Sequence, residues 1–341
     1  MRRVLIQGIG AVSPAGWGLA ALRAAGAGEQ TMVSQELSRP GWDRALRVLR
    51  VPQPNPRPGW LGEARLRRAP AIAQFVVASA MEALGDDREA VIAGRLRLGV
   101  VICTMCGCVT YSRRFYDEVL HQPALASPLL FPETVFNAPG SHLAALLRST
   151  GPNYTLVGDQ GSFGVGLATA ADWLCQEQVD GCLVVGAEEL DWTMADAMRL
   201  FSDRVILSEG AGALYLRLDR SGRGGTCLTA ITSPQLYRRG LSREECIGRM
   251  RSELPAMAEG ELLCDGLREA PRLDVAELRV WRDWAGARWS PRKHLGEGLV
   301  ASAAWQLVLA VDAVSRGMHE AATVSLVGCN EQTTGVRIQR M

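Results

Sequence analysis

Short apolar runs closed by glycine alternate along this chain with longer alanine-rich stretches whose apolar residues recur at helical spacing. Unbroken apolar runs of this kind are strands buried between helices, so the pattern predicts an α/β protein. Strands are expected at 4–7, 98–102, 154–157, 181–185, 212–218, 227–231, 278–281 and 323–327, and helices at 18–25, 71–83, 141–148, 162–177, 243–258 and 298–317. Each half offers a strand, a long irregular segment, a buried alanine-rich helix and a closing hairpin. That repetition predicts duplicated βαβ halves, 1–220 and 221–341, divided near 219–226 and forming one structural unit. The Pro/Gly-rich stretch 52–62 is expected to run over the surface, and Arg220-Ser221-Gly222-Arg223-Gly224-Gly225 to form a solvated turn.

The chain has 341 residues, 48% hydrophobic and 21% charged, enough to bury a large core and too apolar for a disordered tail. Its 37 Lys and Arg against 36 Asp and Glu leave a net charge of +1. No overall field gathers nucleic acid or an anionic membrane, so an acidic partner has to be met by a local patch. The nine cysteines are odd in number and scattered through apolar surroundings, which predicts reduced, buried thiols and a cytoplasmic location. The basic N-terminus leads into an apolar stretch that soon ends at glycines, so it reads as a first buried strand and not as a signal peptide. The most apolar helical stretch, 299–314, is too short to span a bilayer and carries Ser302, Gln306 and Asp312; no membrane segment is expected.

Several local motifs carry little chemistry. Cys103-x-x-Cys106-x-Cys108 lacks a second Cys/His pair at zinc spacing and reads as small core residues, so no metal is expected. His121, His142, His294 and His319 share no ligand spacing and read as surface or helix-capping residues. The run Gln160-Gly161-Ser162-Phe163-Gly164 has glutamine where a hydrolase elbow needs glycine, which makes Ser162 an N-terminal helix residue. Gly8-x-Gly10 lacks the third glycine of a dinucleotide loop, and no cofactor is expected. Asp86 and Asp87 read as helix-ending turn residues.

The opening Arg2-Arg3-Val4 through Gly8-Ile9-Gly10-Ala11-Val12-Ser13-Pro14, with Gly16, resembles the first strand and turn of β-ketoacyl-ACP synthases of the elongating type, members of the thiolase fold. It is followed in order by Phe131-Pro132-Glu133-Thr134 with Asn137, by Gly151-Pro152-Asn153-Tyr154-Thr155, by Val184-Val185-Gly186-Ala187-Glu188-Glu189 and by Ser208-Glu209-Gly210-Ala211-Gly212-Ala213. Five collinear motifs over roughly two hundred residues make the resemblance specific; it fades after Leu218. It implies a five-layer αβαβα sandwich, with pocket and dimer-interface insertions in the N-terminal half.

In active members a cysteine at the N-terminus of a buried helix is the acyl nucleophile, because helix dipole and backbone amides stabilise its thiolate and the later oxyanion. By its Gly-Pro-Asn lead-in, the corresponding position here is Gln160, which cannot form a thioester. The two family histidines that assist malonyl decarboxylation match Asp265, in Asp265-Gly266-Leu267-Arg268-Glu269, and Glu297, after Arg292 and Gly296; His294 lies three residues early. An anion at Asp265 is expected to repel enolate and malonyl carboxylate. The turn supporting the oxyanion hole is represented by Gly328-Cys329-Asn330-Glu331-Gln332, with the hole expected to be filled. The loop between Asp191 and Ser208 lacks the residues that carry a gating phenylalanine.

The resemblance therefore implies a non-catalytic chain-length factor, a type that carries glutamine at the nucleophile position. It would pair with an active ketosynthase as a heterodimer through the strand 154–157, in type II polyketide, polyene or fatty-acid-like biosynthesis. Cys106, Leu130, Phe131 and Thr134 are the implied tunnel gate, and Arg65, Arg67 and Arg68 the implied docking patch for acyl carrier protein. The alternatives are a malonyl-ACP decarboxylase of the glutamine-type loading class, which would still need the histidines, and a carrier-protein-binding scaffold.

Overall fold

A computed structural model describes residues 3–220, 222, 224–237 and 240–341; Ser221 and Arg223 of the expected turn lie outside the described residues. Among the described residues the main sheet has twelve strands, of which two short ones, Gly16–Trp17 and Gln235–Leu236, pair off its path and ten form the continuous path. The first five are β1 (Val4–Ser13), β2 (Leu98–Thr104), β3 (Asn153–Val157), β4 (Gly181–Glu188) and β5 (Gly210–Leu218). The second five are β6 (Thr226–Ile231), β7 (Leu262–Cys264), β8 (Arg288–Trp289), β9 (Ala321–Val327) and β10 (Gln332–Arg340). Their spatial order is β8-β7-β9-β10-β6-β1-β5-β4-β2-β3. Numbered within each half, the order from the centre outward is 1-5-4-2-3 twice. The halves meet where β1 pairs antiparallel with β6 at Val4↔Leu228 and Leu5↔Cys227. β3 is an edge strand, parallel to β2 and otherwise unpaired.

The helices are α1 (Leu19–Gly26), α2 (Ala71–Leu84), α3 (Val109–His121), α4 (Ala138–Leu147), α5 (Ser162–Cys175), α6 (Arg243–Glu253), α7 (Pro271–Val280) and α8 (Val300–Ser315), with shorter turns between them. α5 and α8 each pack on strands of both halves and form the central layer. Every residue of α8 from Val300 to Val314 is buried, as its all-round apolar sequence requires of a helix enclosed by sheets. Two glycines permit this closeness. A Cβ added at Gly186 on β4 would lie 2.7 Å from the Val300 carbonyl, and one at Gly212 on β5 would lie 2.8 Å from the Ala304 Cβ. A small three-stranded sheet, Gln35–Leu37, Leu46–Leu49 and Leu207–Ser208, flanks the main one.

Two expectations are corrected. The segment 278–281 is the end of α7 and not a strand: Pro271 starts a helix, and Leu273, Ala276 and Glu277 share its buried face. The strands of that region are the shorter β7 and β8. β10 went unread because its sequence, Gln-Thr-Thr-Gly-Val-Arg-Ile-Gln-Arg, is polar, yet its first seven residues are buried, with the Arg337 guanidinium paired to Glu261 at 3.0 Å. The 13-residue helix α3 was also missed; none of its residues is buried.

Gly186→Val is expected to destabilise the chain by on the order of 3 kcal/mol, since the branched side chain must displace the α8 backbone and Phe163. Urea unfolding checks this; an unchanged midpoint would show that α8 does not rest on β4 as described.

Candidate functional site

The repeated topology makes α5 and α8 counterparts, each following the third strand of its half, and their N-termini converge. Just ahead of α5 stands Gln160, and just ahead of α8 stands Glu297; both are buried. The Gln160 Nε2 donates to Glu297 Oε1 at 3.0 Å, and its Oε1 accepts from the backbone N–H of Cys329 at 3.0 Å. Both ends of the carboxamide are therefore occupied by protein.

Glu297 accepts four hydrogen bonds. Besides Gln160, the Leu299 N–H reaches Oε1 at 2.8 Å, and Arg268 Nη1 and Arg292 Nη1 reach Oε2 at 2.8 and 3.3 Å. Arg292 also grips the Gln306 carbonyl oxygen through Nε and Nη2, at 3.1 and 2.8 Å. Arg268 is braced by Asp274, which lies 3.5 Å from its Nε and accepts from its backbone N–H. Burial pushes the Glu297 carboxyl up, but the Arg292 and Arg268 guanidinia outweigh it, so the group stays below the usual carboxylate range. Burial pushes Arg292 below the usual arginine value. An ionised glutamate clamped by two arginines has no proton to give and no lone pair free to take one.

The turn after β9 closes the site from the C-terminal half. Asp159 Oδ2 accepts from the backbone N–H of Asn330, Glu331 and Gln332 at 3.1, 2.7 and 3.4 Å, which fixes the turn and points the Cys329 N–H at Gln160. Gly328 is required there, because a Cβ would fall 2.0 Å from Asp159 Oδ2. The Cys329 thiol is pushed up to about 12 by burial, so it offers no thiolate at neutral pH.

A second group of buried carboxylates frames the segment after β2. Glu188 accepts from the N–H groups of Met105 and Cys106 and from the Thr104 hydroxyl. Glu189 ties the starts of α2 and α3 through the Ile72 and Thr110 N–H groups, at 3.2 and 2.9 Å. Glu209 receives the Leu190 and Val51 N–H groups. Burial pushes Glu188 up to about 8 and Glu189 up to about 7.

The residues expected at the site fall into three places. Gln160 and Glu297 come together. Asp265 does not join them: its oxygens are taken by Arg288 Nη2 at 3.1 Å, Ser290 Oγ at 2.6 Å and the Leu267 N–H at 3.2 Å. The expected repulsion is thus corrected, since Arg288 pairs the charge. Three residues on, Arg268 delivers a cation to the centre, and no sequence signal announced it. Cys106 is half-buried, with its N–H on Glu188. Leu130 is buried, Phe131 is exposed with its ring tilted 56° against Phe115 at 5.6 Å between centroids, and the Thr134 hydroxyl donates to the Phe131 carbonyl. Arg65, Arg67 and Arg68 are exposed around the short helix Ala64–Arg67.

His142 departs from the surface reading: it is buried, with Nε2 2.7 Å from Glu133 and Nδ1 accepting from Arg65. Asp87 does more than end a turn, accepting from the Tyr215 hydroxyl at 2.9 Å and pairing with Arg217. Ser162 is the buried first residue of α5, and Cys103 and Cys108 are core residues. Among the described residues, no His, Cys, Asp and Glu side chains are grouped as metal ligands. No helix among them is long and apolar enough to cross a membrane.

Neither a family model nor a curated protein matches the sequence. Solved structures match along the whole chain. A β-ketoacyl synthase from Burkholderia phymatum has a TM-score of 0.81 at 16% identity, covering 100% of both chains. The ishigamide ketosynthase/chain length factor has a TM-score of 0.80 at 17% identity, covering 99% of each. A type II polyketide synthase acyl carrier protein in complex with its ketosynthase bound to a hexaketide has a TM-score of 0.79 at 14% identity, covering 100% of both. The chain thus has the thiolase-like ketosynthase fold, the duplicated α/β sandwich expected from its motifs.

Two measurements probe this centre. Glu297→Gln takes the paired carboxylate from buried Arg292 and leaves Arg268 with Asp274 alone, and is expected to cost about 3 kcal/mol or more in urea unfolding; a loss under about 1 kcal/mol would mean the arginines are not held by Glu297. Glu188 and Glu189 keep protons in the folded chain that an unfolded carboxyl releases near 4.5, so their stabilising contribution is full below that pH and is lost as pH rises through about 7 to 8. Thermal melts are expected to fall from pH 5 to about 8 and then level, with a shallower slope in Glu188→Gln. A melting temperature that rises over this window would contradict the assignment.

Proposed function

We propose that the chain is a non-catalytic ketosynthase-like subunit of the chain-length-factor type, paired with an active β-ketoacyl synthase and shaping its acyl tunnel in type II polyketide, polyene or fatty-acid-like biosynthesis. The observation that carries this reading is the lock on Gln160. Its carboxamide stands where the resemblance places the nucleophile, and its own oxygen occupies the Cys329 N–H that would otherwise face an oxyanion. The remaining machinery agrees. Claisen condensation needs a thiolate and a group that can pass or receive a proton, whereas this centre offers an amide, a clamped carboxylate and two guanidinia.

The need for a partner is supported by the surface. β3 leaves one side of its ladder unpaired and exposes Tyr154 and Val157, each 54% accessible. The stretch from α3 onward exposes Tyr116, Leu120, Leu125, Leu129, Phe131 and Phe136 as well. Unpaired edges and apolar surface of this extent are covered in assemblies, and a ketosynthase adding its own edge strand would continue the sheet. In this reading Leu130, Phe131 and Thr134 reach the neighbour's acyl pocket, Cys106 sets the free length of the tunnel, and Arg65, Arg67 and Arg68 receive the acidic carrier protein.

Gln160→Cys alone is expected to give no condensation, because Glu297 and the arginines remain; measurable product from that single variant would refute the reading. Coexpression with the ketosynthase of the same gene neighbourhood is expected to turn a poorly soluble chain into a one-to-one complex. A monodisperse monomer at high concentration, indifferent to that ketosynthase, would count against it. In the reconstituted pair Cys106→Phe is expected to shorten the product, since a phenyl ring displaces methylenes worth about 0.8 kcal/mol each. An unaltered chain length from a well-folded complex would remove Cys106 from the gate.

A further inference from the structure

Beside the small three-stranded sheet lie two adjoining clefts, of about 570 and 640 Å³, that share Arg47, Arg204 and Ile206 as a common wall. The first is bounded on its far side by Lys293 and His294 and floored by Arg268 and Arg292; its only acidic lining residue is Glu269. The second adds Arg44 and Arg199, with Glu36 and Asp203 as its acidic lining residues. Arg268 and Arg292 are already paired with Glu297, whereas the cations of the walls are under-compensated. Arg204 and Lys293 have no ion-pair partner among the described residues, and Arg47 rests its Nε and Nη2 on the neutral hydroxyl of Ser34, at 3.1 and 2.8 Å. At the floor, Arg268 has a side chain only 2% accessible and is held by Glu297 at 2.8 Å and Asp274 at 3.5 Å, so the wall cations are the ones left for a ligand.

We infer that this trough is a binding site for a diphosphate group carried by a small molecule. The cations come from three separate segments, the strand Leu46–Leu49, the stretch before Leu207–Ser208 and the short helix Arg292–Leu295. A single carboxylate cannot meet all three, whereas a diphosphate presents several anionic oxygens over the width of such a cleft, and guanidinium forks bind phosphate oxygens in pairs. Thr31 and Ser34 on the same lining add neutral donors. Nucleic acid is the poorer fit: the chain has a net charge of +1, and the cations line a concavity instead of a long face. The inference does not rest on the chain-length reading, because the cations it uses, Arg47, Arg204 and Lys293, take no part in the Gln160 centre.

Titration calorimetry on the full chain, purified with whatever subunit accompanies it, tests this with inorganic pyrophosphate, inorganic phosphate, ATP and coenzyme A as probes. Pyrophosphate is expected to bind one per chain, at least about tenfold tighter than phosphate, and to weaken steeply with salt. Arg47→Ala with Arg204→Ala is expected to weaken it at least about tenfold, and so is Lys293→Glu should the double variant fail to fold, while Arg88→Ala in the helix Asp87–Ile92 leaves it unchanged. Tighter binding of ATP or of coenzyme A than of pyrophosphate would show which organic group carries the diphosphate. Absent saturation by pyrophosphate, or equal affinity in wild type and trough variants, would overturn the proposal. So would a trough that binds only an acidic protein, which would make it a protein-docking face.

Discussion

A single ionised carboxylate, held where two buried helices begin, organises the centre of this molecule. Taking Glu297 out of water costs several kcal/mol, which Arg268, Arg292, the Gln160 amide and the Leu299 N–H together offset. Because these donors come from the α7 lead-in, the short helix before α8, the α5 lead-in and the residue capping α8, the charge ties four segments into one geometry. Leu299 is even held at φ 50°, a left-handed conformation costly for leucine, to let its N–H face the carboxylate. An apolar centre could have packed as tightly. The charged one fixes where each segment must sit.

The duplicated topology explains why the site lies there. Two copies of a 1-5-4-2-3 strand order place the helices after their third strands back to back, and so bring their N-termini, with the positive ends of their dipoles, to one point. A fold of that kind offers stabilised anions by construction. Here the protein fills the position with its own glutamate and amide, bonded to each other and to surrounding donors. The outer edge of the N-terminal half keeps an unpaired strand and apolar surface, the place where the proposed partner would dock.

Much of this was legible in the sequence. Glycine-bounded apolar runs marked most strands, since a strand buried on both faces shows no alternation to confuse, and the Gly-Pro-Asn lead-in located Gln160. The losses have physical causes. β10 was hidden because its polar side chains are satisfied by partners far along the chain, such as Arg337 with Glu261 across 76 positions. Arg268 and Asp159 were hidden for the same reason: their roles exist only after the C-terminal half folds over α5. Asp265 was misjudged because a charge read without its partner looks repulsive, and Arg288, 23 positions away, pairs it.

The claim that the centre is chemically silent is tested most directly by locating acyl groups in the assembled complex. The complex would be incubated with isotopically labelled acyl carrier thioester, digested and mapped by mass spectrometry. The account predicts label on the active-site cysteine of the ketosynthase and on none of the nine cysteines of this chain. Label on a cysteine-bearing peptide of this chain, such as that of Cys329, whose N–H meets Gln160, would contradict it.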